Sequence, residues 1–250
     1  MARNREVVFG IFVLLVIGVL LYAVFNYAQN KTRTDLAKRI AELSPRRGPP
    51  ETIDGLKQAI ALYEKQIEQH VKDAAQTGVY WKILAIRLAD KEMHRDALDA
   101  FEQAIRFIPD DPTLFFLVGD SASAVAASII GFSSNAGTEK EHYTQLAESA
   151  FLKAIELDST YSRPRLGLGI LYVFDLDRAA DAVPHLERYV ELVSNDVKGM
   201  FVLARAYFMI ESYDRAVELY DRIIARTKDP NIRKEAQNNK DAVRDLMYGS

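Results

Sequence analysis

The chain has no cysteine in its 250 residues. That excludes disulfides, thiolate metal ligands, thiol catalysis and the lipid-modified cysteine of bacterial lipoproteins, and it leaves the redox compartment unread. Histidine is scarce as well. His70, His94, His142 and His185 stand on separate segments, with no HExxH pair and no second ligand at a metal-binding spacing. No glycine-rich loop could cradle a phosphate: Gly167 and Gly169 reproduce only a fragment of a dinucleotide motif. Neither sign of charge dominates, the formal net charge being -3, so there is no polycationic surface for nucleic acid. These absences argue against an enzyme, and no cofactor and no metal are expected.

What the chain does have begins with one long apolar run. Val7 to Phe25 is uninterrupted over 19 residues, which as a helix spans roughly 28 Å, the thickness of a bilayer core. A cleaved signal peptide is the rival, but its apolar region is usually only about 7 to 15 residues long. Its cleavage site also needs small residues, and Ala23 and Ala28 have Leu21 and Asn26 two positions earlier. The run reads as an uncleaved single-pass anchor in a cytoplasmic (inner) membrane. Orientation stays open. Arg3 and Arg5 before the span are outnumbered by Lys31, Arg33, Lys38 and Arg39 after it, a count that keeps the following domain in the cytoplasm. The layout of a short basic head before an apolar run is that of a signal anchor, which places the domain beyond the cytoplasm, and long domains cross regardless of charge. The second placement is preferred here.

Behind the anchor, residues 26–50 form a basic juxtamembrane helix and linker, with Leu36, Ile40 and Leu43 on one face and then the stiff stretch SPRRGPP from Ser44 to Pro50. Such charge can hold anionic lipid or simply be solvated. Residues 51–77 carry Ile53, Leu56, Ile60, Tyr63, Ile67 and Val71 at helical spacing. That stripe suits a capping helix, with a short dimeric coiled coil as the alternative.

From residue 78 one pattern repeats. Trp81, Leu84, Ala85 and Leu88 are followed by Ala97, Phe101, Ala104 and Pro109. It returns as Phe115, Val118, Gly119 and Ala122, as Leu168, Gly169 and Tyr172, and as Leu203, Ala204 and Tyr207. Ala147, Ala182 and Ala216 mark the second stripe of each later copy. Ala85 to Gly119 is 34 residues, Gly119 to Gly169 is 50 and Gly169 to Ala204 is 35, while the second-stripe alanines step by 50, 35 and 34. The period is thus 34 residues with one insertion of 16. Small residues at matching places let paired helices approach closely, and large neighbours fill the flanks.

These residues resemble the tetratricopeptide repeat (TPR) family, a helical hairpin of about 34 residues with large, small, aromatic and proline positions in this order. The later copies depart from it: Arg165 and Met200 replace Trp81, Tyr189 and Ile223 replace Ala104, and Ser159, Ser194 and Lys228 replace Pro109. The expected fold is all-α: an N-terminal transmembrane helix at 7–25 after a basic tail at 1–6, then a TPR-type solenoid of four hairpins over 78–228, with capping helices at 51–77 and 229–250. The insertion falls near 123–141. There the first helix is expected to run on past Ser123, and Ser133 to Glu141 to form a polar loop. Its candidate contacts are Ile129, Ile130 and Phe132.

The resemblance implies that the first helix of each hairpin lines a concave groove. On that row stand Lys82, Ile86, Phe116, Asp120, Arg163, Ile170, Phe174, Phe201, Arg205 and Phe208, an aromatic surface with scattered cations that suits a helix or extended segment of a protein partner. Each phenylalanine could equally be core. The asparagine and lysine set by which some family members clamp a C-terminal carboxylate is absent, which disfavours a co-chaperone role. The expected function is a non-enzymatic, membrane-anchored adaptor, with a structural subunit of a large envelope assembly as the alternative. The stretches LYVFDLDRAADAVPHLERY and MFVLARAYF also resemble repeat proteins of spirochaetes, some of which build a periplasmic flagellar-motor collar. Oligomeric state is not legible.

Overall fold

Alanine-rich segments with apolar residues three and four apart can only bury that stripe by lying against another helix, and such pairs follow one another along the chain. The structure, a computed structural model, describes residues 52–130 and 136–248. The expected anchor at 7–25, the tail at 1–6, the linker region 26–50 and Phe132 lie outside the described residues. Among the described residues, no helix is long and apolar enough to cross a membrane.

The chain divides between Val71 and Lys72 into two units. Helix α1 (Ile53–Ala89) begins in the first and ends in the second. Residues 53–77 and the start of the first hairpin are therefore one element with no turn between them. Gly78 does not break it, and a Cβ there would come within 2.7 Å of the Phe107 Cβ. The glycine serves close approach, not helix termination. In the first unit Ile53, Leu56, Ile60, Tyr63, Ile67 and Val71 are all exposed.

In the second unit α1 pairs with α2 (His94–Phe107), α3 (Pro112–Ser128) with α4 (Ala136–Leu157), α5 (Ser162–Ile170) with α6 (Ala179–Leu192), and α7 (Val197–Met209) with α8 (Tyr213–Arg226). Helix α9 (Pro230–Tyr248) packs on α8. This is an all-α repeat solenoid. The alanines that set the period, Ala85, Ala97, Ala122, Ala147, Ala182, Ala204 and Ala216, are fully buried. Phe151 fills the space left by Gly119 and Gly167, and Leu186 the space beside Gly169. Glu92, Asp177 and Glu211 take positive φ of 62°, 51° and 60°, each in the turn inside a hairpin.

Two departures from a regular array have identifiable causes. Tyr172 and Tyr207 are 35 residues apart but Ala182 and Ala216 only 34, so the third hairpin holds one surplus residue. It is absorbed as a π-helical turn, Leu171–Asp175, which is how a helix takes in one extra residue without breaking. The 16-residue insertion is spent on helix rather than on loop: α3 runs to Ser128, and α4 already begins at Ala136, inside the stretch expected to form a polar loop to Glu141. Its 22 residues compare with 14 in α2, α6 and α8.

Candidate functional site

Helix α7 carries two stripes. Met200, Leu203, Ala204 and Tyr207 are buried in the array. Phe201, Arg205 and Phe208, spaced four and three apart, share a neighbouring face. Together with Phe174 of the π-helical turn, Tyr220 of α8 and Asn239, Ala242 and Val243 of α9, they line a recess of about 350 Å³. Four residues of the expected groove row thus meet in one place. Phe174 is 61% exposed. The Phe201 and Tyr220 rings lie 6.1 Å apart at 56°, and Phe208 and Tyr213 5.8 Å apart at 52°, tilted pairs of the favourable kind. The Arg205 guanidinium stands over Phe208, 5.4 Å from its centroid. Burial pushes the Tyr220 phenol up, and the neighbouring charge of Arg205 partly opposes that.

The upstream half of the same row is built differently. Lys82 donates to Asp111 in an ion pair. Asp111 is itself the N-cap of α3, accepting from the Thr113 amide at 2.9 Å and from that of Leu114. Burial alone would raise the Asp111 carboxyl, and its bonds to Lys82 and the two amides outweigh that and hold it below the ordinary range. Phe116 is buried, with the Tyr161 ring edge-on at 5.6 Å and the Arg163 guanidinium over it at 4.6 Å. Ile86 is half-buried against the core of the first hairpin, and Ile170 against the larger core beyond it. Asp120 is exposed on α3. In the insertion Ile129 is half-buried and Ile130 is 72% exposed.

Sequence reasoning missed a set of polar clusters that tie a first helix to the second helix of the preceding hairpin. Tyr172 donates to Glu148 at 2.7 Å while Arg178 binds the same carboxylate at 2.8 Å and covers the tyrosine ring at 4.5 Å. One repeat on, Tyr207 donates to Glu187, Arg215 binds that carboxylate at 3.2 Å and stands 5.1 Å from the Tyr207 ring. Burial first, and then the hydrogen-bonded carboxylate, push both phenols up to about 12. The second cluster belongs to a polar recess of about 380 Å³ between α6, α7 and α8. The 35-residue step between the tyrosines was visible in the sequence, but the glutamates they bond lie 24 and 20 positions away.

Among the described residues, no group of histidines and carboxylates could hold a metal. His142 lies against Tyr143 with ring centroids 5.2 Å apart. His185 lies 6.1 Å from the Tyr172 ring, and its burial, aided by Arg165, keeps it below its ordinary value.

Compared by sequence, the chain matches no family model and no curated protein. Compared by structure, it is similar to a thermophilic TPR protein of Thermus thermophilus (TM-score 0.52, 17% identity, 72% of this chain and 92% of that one). It is similar to MamA of Desulfovibrio magneticus (TM-score 0.52, 17% identity, 70% and 97%). It also resembles YrrB, described as a TPR protein with an unusual peptide-binding site (TM-score 0.51, 20% identity, 74% and 85%). At such identities the likeness is one of fold: the chain is an all-α solenoid of the tetratricopeptide-repeat type.

Proposed function

We propose that this protein is a non-enzymatic adaptor, anchored in a membrane through Val7 to Phe25, that holds a protein partner on the concave row of its repeats. The observation that carries this reading is the recess in which Phe174, Phe201, Arg205 and Phe208 meet. It offers three phenylalanines and a cation on a rigid helical frame, the composition of an interaction hot spot. A structural neighbour whose description names a peptide-binding site points the same way. The repeats stand on the extracytoplasmic side in this reading, and the partner contributes a helix or extended segment.

A photo-crosslinking residue placed at 174, 201 or 208 of the full chain in its native membrane should trap a partner, and Arg205→Glu should abolish the product. The reading is lost if those positions give no product while position 130 does. That second outcome would favour the structural-subunit reading, which rests on the exposed Ile130 and on the uncovered stripe from Ile53 to Val71. Protease access to a C-terminal tag in vesicles of both orientations tests the side. Cleavage only in inside-out vesicles would move the repeats to the cytoplasm.

A further inference from the structure

Among the described residues, most arginines are already engaged. Arg87, Arg95, Arg106, Arg178, Arg188 and Arg215 pair with carboxylates, and Arg165, Arg226 and Arg233 donate to backbone carbonyls. Arg205 has neither. It is exposed, makes no ion pair, and is held only over the Phe208 ring at 5.4 Å. Glu235 also acts on the Tyr220 phenol but makes no ion pair with Arg205. On the facing helix the Asn239 amide also lines the recess and bonds to no other described group. The recess therefore combines aromatic rings with two unused donors, one of them charged. An apolar ligand alone would leave both unsatisfied once water is expelled, at a real cost. A carboxylate would answer both, since a guanidinium and an amide can each donate to it and the charged hydrogen bond is the stronger kind.

Resting on the adaptor reading, we propose that the recess selects a partner segment in which a bulky apolar side chain stands next to a carboxylate, either Asp or Glu or a C-terminus. The apolar side chain enters among Phe174, Phe201 and Phe208, and the carboxylate takes Arg205 and Asn239. About 350 Å³ is at the small end of ligand sites, which suits one such pair of residues and not a whole amphipathic helix. Ala242 and Val243 of α9 keep the space open, since longer side chains there would fill it.

The test is selection from a random peptide display library on the purified full chain, followed by titration of the synthetic winning peptide. Enriched peptides should share an aromatic or long aliphatic residue beside Asp or Glu, or at a free C-terminus. Arg205→Glu, and replacement of the peptide carboxylate by its amide, should each weaken binding by roughly tenfold or more. Arg205→Lys should keep part of it. If Phe201→Ala abolishes binding while Arg205→Glu and the amide change nothing, the carboxylate proposal is wrong and the groove reading stands. If Phe174→Ala, Phe201→Ala and Arg205→Glu all leave binding intact, both are wrong. No enrichment at all also overturns the proposal. Circular dichroism of each variant separates loss of binding from loss of fold.

Discussion

The two halves of the first-helix row use the same residue types to opposite ends. Upstream, a lysine and a phenylalanine are consumed by the fold: Lys82 by the α3 cap, Phe116 by Tyr161 and Arg163. Downstream, Phe201 and Phe208 are half-buried against the core yet still line an open recess with the exposed Phe174 and Arg205. The difference lies in what comes next in the chain. After α3 and α4 the following hairpin delivers large side chains onto Phe116. After α7 and α8 the only remaining element among the described residues is α9, which presents Asn239, Ala242 and Val243. Whether a groove aromatic is core or contact is thus settled by the bulk of its neighbour.

The sharpest way to break this contrast is a matched pair of truncations. Phe116→Ala should cost about 3–5 kcal/mol in chemical denaturation, as loss of a buried ring does. Phe174→Ala should stay within about 0.5 kcal/mol of wild type. Similar losses for both would mean the downstream ring is core as well.

Next in size is the upstream cap. Asp111→Ala should cost about 1–2 kcal/mol, because α3 loses its N-cap and Lys82 its partner. The depressed carboxyl gives the sign of the pH effect. Its contribution is present above its ordinary value of 3.8 and is lost as pH falls below it through the depressed folded value. Wild type and variant should converge in acid.

Smaller still is the effect of filling the downstream recess. Ala242 is exposed, so Ala242→Leu should leave stability within about 0.5 kcal/mol while competing with any ligand among Phe174, Phe201 and Phe208. Undiminished peptide binding by this variant would show that the recess is not where the contact is made.

The smallest effect concerns the hairpin that carries the π-helical turn. His185 is held below its ordinary value of 6.5 by burial and by Arg165, so the unfolded chain binds the extra proton first. Stability should fall as pH drops below about 6.5, by a few tenths of a kcal/mol given its partial exposure. His185→Gln should flatten that slope in urea unfolding at pH 7.5 and 5.5.

Most of the fold was legible because it is local. Ala85, Ala97, Gly119, Ala182 and Ala216 mark places where helices approach closely, and a solenoid repeats that requirement every 34 residues. The surplus residue behind the π-helical turn was also legible as a step of 35 against 34, but not its location. The row Phe201, Arg205, Phe208 followed from helical spacing. Its closure by Asn239 and Ala242 did not: the apolar positions Ala236, Val243, Leu246 and Met247 mark an inward face of α9, of which Ala236 and Val243 are buried and Leu246 is exposed, but they do not say which polar residue edges the recess.

By itself, then, the sequence determined the helical hairpins, their number and order, the small residues at their crossings and the aromatic, cationic face of α7, because each depends on residues a turn or two apart. Only the tertiary structure decided that α1 runs unbroken through Gly78, that the insertion lengthens α3 and α4, that Lys82 is tied to Asp111, and that Arg205 has no carboxylate of its own. Those outcomes depend on side chains brought together from separate hairpins, where packing volume and the nearest available charge, rather than local propensity, choose the partner.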